Sequence, residues 1–158
     1  MRTAEEVRQV FAFERWANGQ VLESLESLLE PPPDLLALGG HLLGAIDIWL
    51  ARIEGTQPAG GLWDTISLED LHRRAEDVAR RIEDFLEDLD DDDLQRDVVY
   101  RNSQGEEFTN RAGDILQHLA LHGAEHRGQI SFETGRLGGK SRETEYLWWL
   151  REPPEGER

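Results

Sequence analysis

Residues 35–53, LLALGGHLLGAIDIWLARI, carry an apolar stripe at helical spacing that decides the fold class. The members of this stripe recur every three or four positions and are Leu35, Leu38, Leu42, Ala45, Trp49 and Ile53. Residues at that spacing fall on one face of an α-helix, which must be buried against other elements. Asp34 is predicted to cap this helix, called helix 2, and Gly55 to end it. The same stripe contains a histidine, His41.

Three further long segments and one short one repeat this pattern. Helices 1, 3 and 4 are predicted over 4–29, 67–89 and 110–137, and a last short helix over 142–151. The prolines at 31–33, Ser67 and Gly138-Gly139 mark helix ends. Short apolar runs on either side of 102–105 predict a small hairpin. The sequence therefore predicts an all-α four-helix bundle with a short C-terminal helix, as a single domain over 1–152 with a polar tail at 153–158.

The connection between helices 2 and 3 decides the order in which the helices run. Helices 1 and 2 are joined by a short turn, so they are antiparallel. About a dozen residues precede helix 3, and at up to ~3.3 Å each they can extend over ~40 Å. Helix 2 is only ~30 Å long. The linker can return along the whole bundle, so an up-down-down-up order is feasible beside the simpler up-down-up-down order.

Composition excludes several classes of function. The chain has 17 Lys and Arg against 33 Asp and Glu, for a net charge of −16, which repels nucleic acid and anionic membranes. It contains no cysteine, so it has no disulfide framework and no thiolate metal site. No run approaches the ~18 consecutive apolar residues of a membrane span. We therefore expect a cytoplasmic protein with no nucleic-acid or membrane partner.

Four of the five histidines fall where an apolar stripe should be. His41 lies on helix 2, and His118, His122 and His126 are spaced four residues apart on helix 4. Side chains four apart on a helix have Cβ atoms ~5–6 Å apart, so two imidazoles can converge on one ion at ~2.0–2.1 Å. A third inward histidine on another helix strengthens the prediction of a metal site.

Topology determines which pair completes this site with His41, which lies near the start of helix 2. If helix 4 runs antiparallel to helix 2, the part of helix 4 beside His41 lies near the end of helix 4, and His122 and His126 fit better. If the two helices are parallel, His118 and His122 are preferred. The residues alone leave both pairs open.

Three stretches resemble the DinB family of damage-inducible bacterial proteins. They are RWANGQVL at 15–22, HLLGAIDIWLARIEG at 41–55 and above all HLALHGAEHRGQI at 118–130. The closing TEYLWWLRE at 144–152 is similar to the family's C-terminal segment, with Glu145 at the position of its aspartate. The resemblance implies an up-down-down-up bundle, usually dimeric, with zinc or nickel on His41, His122 and His126. It places His118 beside the ligands.

Three imidazoles with an open fourth position are typical of a catalytic metal site, where an ion can lower the pKa of water to about 7 or deprotonate a thiol. Imidazole ligands suit zinc, nickel or copper. The resemblance implies a metal-dependent transferase of low-molecular-weight thiols, or a hydrolase, acting on small electrophiles. The small-molecule partner would then be a thiol. The alternative is a non-enzymatic, dimeric stress-response protein with a structural metal.

Other polar residues fall near this predicted site. Asn18 lies ~21 Å along helix 1, close to the depth of the helix 4 histidines. Asn18 and His118 are candidates for contacting the metal ligands or a bound substrate. For Asn18, the preferred interpretation is a buried amide whose hydrogen bonds are satisfied by the backbone or neighbouring side chains. Asp47 and Glu125 are the nearest acids that could serve as a general base. The remaining polar residues, expected to make structural pairs or interface contacts, are Glu14, Arg127 and Gln129. The tryptophans are expected first of all in the core or in docking contacts, with one or two of them able to form a wall of the pocket.

Overall fold

A computed structural model of the chain describes residues 1, 3–63 and 66–151. Its helices are α1 (Ala4–Glu26), α2 (Pro33–Glu54), α3 (Leu68–Glu87), α4 (Ala112–Arg136) and α5 (Tyr146–Arg151). The strands β1 (Asp97–Arg101) and β2 (Glu107–Arg111) lie between α3 and α4, preceded by one 3-10 turn at Asp93–Gln95. The four long helices and the short last helix agree with the prediction. The predicted polar tail lies outside the described residues.

The helix ends follow local chemistry. A capping box of Thr3 and Glu6 begins α1, and the Ser67 side chain accepts the Asp70 N–H at the start of α3. The prediction of Asp34 as the cap of α2 was wrong. Pro32 occupies the cap position, and no side chain caps this helix end. The helix instead begins with proline, whose fixed φ suits the first turn and whose missing N–H leaves one fewer donor to satisfy.

The two strands form an antiparallel ribbon, as the hairpin prediction required. Val98 lies opposite Asn110, and Tyr100 lies opposite Phe108. Because cross-strand partners share a face, these four side chains form the inner face of the ribbon, where Val98 is buried. The Tyr100 ring lies 4.9 Å from the ring of Trp49 on α2. The helical bundle therefore carries a small two-stranded sheet on its side, which a purely all-α description omits.

Contacts at the helix ends show that α1 and α4 begin at the same end of the molecule. The N-terminal ammonium of Met1 donates a 2.7 Å hydrogen bond to Gln117, near the start of α4. At the other end, the Ser24 hydroxyl donates to the carbonyl of Lys140, just beyond α4, at 2.7 Å. These contacts align α1 with α4 along their length.

The helices α2 and α3 begin together at the opposite end. Gly39, near the start of α2, lies directly against Leu71, near the start of α3. Arg8, near the start of α1, donates a 2.7 Å hydrogen bond to the carbonyl of Leu89, just beyond α3. This arrangement brings His41, early in α2, level with the second half of α4.

Within the described residues, one helix, α2, is long and apolar enough to cross a membrane by length and composition alone. Its most apolar 18-residue window has a mean hydropathy of 1.4, and 67% of that window is buried. Core helices of globular proteins pass the same test, so the property is weak evidence for a membrane span. Because most of this window is buried, the apolar surface of α2 packs in the core of the bundle.

Candidate metal centre

Three histidines from two helices meet at one point between α2 and α4. The Nε2 atom of His122 lies 3.1 Å from Nε2 of His41 and 3.1 Å from Nε2 of His126. The ligand atoms of all three lie within 4.8 Å of one another. Nitrogens that share a tetrahedral ion at ~2.0–2.1 Å are roughly 3.3 Å apart. The separations therefore suit a divalent transition metal after small side-chain adjustments.

Hydrogen bonds alone cannot satisfy all of the nitrogens that the three histidines bring together. Each neutral imidazole nitrogen carries either one hydrogen or one lone pair. Because Nε2 of His122 faces two other Nε2 atoms, it can form a good hydrogen bond with only one of them. A cation can accept lone pairs from all three nitrogens at once. The donor set thus fits an ion better than it fits the three side chains by themselves.

Electrostatics keeps two of these imidazoles neutral. Burial, followed by repulsion from His126, His41 and His118, lowers the pKa of His122 to about 4. The pKa of His41 is also lowered, first by burial and then by His126, with a smaller opposing effect from the backbone of Leu62. Neutral imidazole is the form that binds a metal. Both side chains are therefore ready to donate lone pairs at neutral pH.

Gln129 orients the third imidazole. Nδ1 of His126 lies 2.8 Å from Oε1 of Gln129, three residues further along α4. An amide oxygen can only accept, so the hydrogen of the His126 ring sits on Nδ1, and the lone pair of Nε2 points into the cluster. Sequence reasoning expected Gln129 in a structural pair or an interface and missed this role. The i, i+3 spacing from His126 was the available signal.

Trp63 covers the ring of His41. Its indole stacks on the imidazole with 3.9 Å between ring centroids and 12° between planes, while 60% of its surface stays exposed. The loop that carries it is tied down by Asp47, which accepts the N–H of Ala59 at 2.7 Å, and by Arg74, which donates to the carbonyl of Gly61 at 2.7 Å. Trp63 is therefore not a core residue, and it lies against the histidine cluster as expected for one or two of the tryptophans.

A family model described as the DinB superfamily matches residues 28–130, about two thirds of the chain, and this range includes all three histidines. The chain belongs to the DinB superfamily. The resemblance inferred from the sequence is confirmed. A crystal structure of a DinB-like protein from Bacillus cereus has the same fold, with a TM-score of 0.63 and 21% identity. That match covers 90% of this chain and 97% of the other. No curated protein matches the chain significantly.

Beside the candidate metal centre of this DinB-superfamily protein lies a fully buried ion pair. The guanidinium of Arg127 donates two hydrogen bonds to the carboxylate of Glu14, at 2.5 and 2.6 Å, and a third to Oδ1 of Asn18 at 3.1 Å. Burial raises the pKa of Glu14, and Arg127 partly offsets that effect. A Cβ at Gly123 would lie 2.4 Å from the Glu14 carboxylate, so only glycine allows this approach. The pair fixes the rotation of α4, which also carries His122 and His126.

The remaining predicted residues lie around the centre rather than in it. Asn18 is a buried amide bound to Arg127, in agreement with the preferred interpretation of this residue. His118 is exposed, with its ring 5.8 Å from that of His122 and 5.6 Å from that of Trp49. Asp47 is buried and pairs with Arg81, in addition to holding the loop. These contacts give Asp47 a structural role rather than the role of a general base.

Proposed function

We propose that this protein holds one divalent transition metal, zinc or nickel, on His41, His122 and His126, and uses it to transfer low-molecular-weight thiols to small electrophiles, or to hydrolyse such compounds. The observation that carries the proposal is the convergence of three Nε2 atoms on one point. Ligation by imidazole alone suits both metals. The sequence resemblance to the DinB family supports the reaction class.

The chain's own residues prepare the centre for this chemistry. A Lewis acid held there would lower the pKa of a substrate thiol or of water, so that the nucleophile forms at neutral pH. Burial keeps His41 and His122 neutral, and Gln129 directs the lone pair of His126. His122 and His126 are only half-buried, which leaves a side from which a small molecule can approach.

We further propose an up-down-down-up bundle, a homodimer and a cytoplasmic location. The contacts at the helix ends support the bundle order, since α1 begins beside α4 and α2 begins beside α3. The family resemblance supports a dimer, and α4 carries two exposed apolar side chains, Leu121 and Phe132. The strong negative charge disfavours nucleic acid and anionic membranes as partners.

The alternative is a stress-response protein in which the metal only stabilises the fold. One observation favours it: within the described residues, no carboxylate is positioned as a general base beside the histidines. Asp47 is engaged by Arg81 and by the backbone of Ala59, and Glu125 is exposed on α4. A nucleophile activated directly by the ion would not need such a base, so the proposal stands without one.

Metal analysis followed by a thiol-conjugation screen separates the two functions. Untagged protein should contain about one zinc or nickel ion per chain, and a His122→Ala variant should lose most of it. The screen combines several cellular thiols with a simple chromogenic electrophile, with and without a chelator. Activity that disappears with the metal supports an enzyme. Full metal retention in the variant would overturn the site, and a silent screen on loaded protein would favour the structural alternative.

A further inference from the structure

A glycine lies one turn after His41 on α2. Gly44 and His41 are three residues apart, so their side-chain positions are neighbours on the surface of the helix. A Cβ at Gly44 would lie 2.7 Å from the guanidinium of Arg74 and 3.0 Å from the carbonyl oxygen of Gly61. The glycine therefore lets an arginine of α3 and the loop that follows α2 both approach α2 closely, beside a candidate metal ligand.

Arg74 fastens the loop at residues 59–63 to α3. Its guanidinium donates a 2.7 Å hydrogen bond to the carbonyl of Gly61, two residues before Trp63. Two residues of chain extend over at most ~7 Å, so a displacement of this carbonyl also displaces the indole. From α2, the buried carboxylate of Asp47 accepts two backbone N–H groups of the same loop, at 2.7 and 3.4 Å. Two helices thus hold the loop immediately before Trp63.

His41 lacks the side-chain partner that orients His126. Nδ1 of His126 is bound by Gln129 at 2.8 Å, whereas Nδ1 of His41 is buried and has no hydrogen-bond partner of normal geometry among the described residues. The backbone of Leu62 acts on His41 only by raising its pKa against the larger lowering effect of burial. The indole of Trp63, with 3.9 Å between ring centroids and 12° between planes, is therefore the group that fixes the plane of the His41 ring.

We propose that Arg74 is a positioning residue for the metal centre, because it holds the loop so that Trp63 keeps the His41 ring aimed at the other two histidines. The inference rests on the proposed function and adds α3 to a site whose ligands come from α2 and α4. Arg74 acts through two contacts in series, first its bond to the Gly61 carbonyl and then the stack of the indole on the imidazole. A ligand that is already oriented binds an ion more tightly than one that must be ordered by it.

Replacement of Arg74 by methionine removes the donor and keeps a long, flexible side chain. The affinity for Co²⁺, which takes the same ligands as Zn²⁺ and reports binding by its visible absorption, should fall about tenfold, as is typical when a contact behind a ligand is lost. Arg74→Lys keeps a donor and should recover most of the affinity. The matched control is Arg73→Met at the neighbouring position of α3, where the arginine is exposed and pairs with Asp70, and it should bind Co²⁺ as the wild type does.

Gly44→Ala disturbs the same contact from α2. The added methyl group would overlap the guanidinium of Arg74 and press on the Gly61 carbonyl, so the arginine or the loop must move. Alanine has a higher helix propensity than glycine, so α2 itself should not be weakened. The control is Gly19→Ala on α1, where a Cβ meets nothing within 4 Å. Of these two variants, only Gly44→Ala should bind Co²⁺ more weakly.

The proton chemical shifts of the His41 ring report the stack in metal-free protein. A proton held over the face of an indole is shifted upfield by the ring current, so release of Trp63 should move the His41 ring protons downfield. Arg74→Met and Gly44→Ala should both show this change, and Arg73→Met should not. A general loss of stability would not move these shifts in protein that remains folded.

A double-mutant cycle with Trp63→Ala shows whether the effect passes through the indole. In the Trp63→Ala background, Arg74→Met should reduce the affinity for Co²⁺ by less than about twofold. An equal loss in both backgrounds, or unchanged His41 shifts in Arg74→Met, would overturn the inference while the metal centre stands. If the wild-type protein does not bind Co²⁺ tightly, the proposed function fails, and the His41 shifts still decide whether Arg74 positions this ring.

Discussion

Replacing Gln129 by leucine tests whether the hydrogen bond to His126 prepares this imidazole for metal binding. The 2.8 Å bond keeps the ring hydrogen on Nδ1 and therefore leaves the lone pair on Nε2. Leucine has nearly the same size and a similar helix propensity, but it has no acceptor. Loss of such an outer contact typically weakens metal affinity 10- to 100-fold, or about 1.4–2.7 kcal/mol. Because Gln129 is exposed, the free energy of unfolding of metal-free protein should change by less than about 1 kcal/mol.

Competition with a chromophoric chelator measures the affinity, and nitrogen NMR of the imidazole rings identifies the nitrogen that carries hydrogen. Gln129→Glu is the matched control, since it keeps an acceptor oxygen at the same place and should retain the affinity. If leucine leaves both the affinity and the His126 tautomer unchanged, the hydrogen bond has no part in the site. The same reasoning fails if glutamate weakens binding as much as leucine does.

Four other predictions follow from the same contacts. His126→Ala should abolish tight metal binding in a chelator competition, whereas His118→Ala should weaken it only modestly; the reverse ranking would mean that the wrong pair was chosen. Arg127→Met should destabilise the fold by about 3–5 kcal/mol in urea unfolding, because it leaves the Glu14 carboxylate buried without its partner, and a second change, Glu14→Leu, should recover much of that loss. Trp63→Ala should speed metal release measured by stopped-flow chelation, because it uncovers the ring of the stacked ligand; an unchanged rate would show that the indole does not shield the site. In thermal scans, metal-free protein should lose more stability than a metal-free His122→Ala variant as pH falls from 6.5 to about 4. The unfolded wild-type chain takes up a proton on His122 that the folded chain excludes, because burial and the neighbouring histidines lower the pKa of His122 to about 4. Equal losses in the two proteins would contradict this lowered pKa.

The helices could be predicted because their apolar faces repeat over many turns, while helix ends depend on single residues. The sequence pattern placed Asp34 at the cap of α2, but the prolines before it have a stronger effect on where the helix starts. Helix 1 was predicted three residues too long, because Leu29 continues the apolar spacing, although the helix ends at Glu26 and this leucine is fully exposed. Periodicity cannot detect an apolar residue that has no partner.

The three histidines lie together as the family resemblance implied. The residues alone left two pairs on helix 4 open, because the part of helix 4 beside His41 depends on the order in which the helices run. The position of a residue along a helix does not, however, determine which side of the helix it faces. Asn18 lies at the expected level on α1, yet it faces Arg127. Trp63 lies in a loop without periodicity, so its stack on His41 depends on tertiary contacts of Asp47 and Arg74 that no local pattern encodes.

The candidate ligands are held by contacts with other residues of the chain, and this bears on the choice between a functional and a structural ion. Arg127 and Glu14 lock the rotation of α4 through buried contacts that do not involve the ligands. Gln129 sets the direction of one imidazole, and the loop tied to Asp47 covers another. A metal that must build its own site stabilises the fold by most of its binding energy, as in zinc fingers. In this protein the contacts of Arg127 with Glu14 and of Gln129 with His126 do not involve an ion, so we expect that removing a bound metal leaves the helices folded and the site able to reload. A ligand set held in this way, with a half-buried side open to a small molecule, supports the catalytic role proposed above.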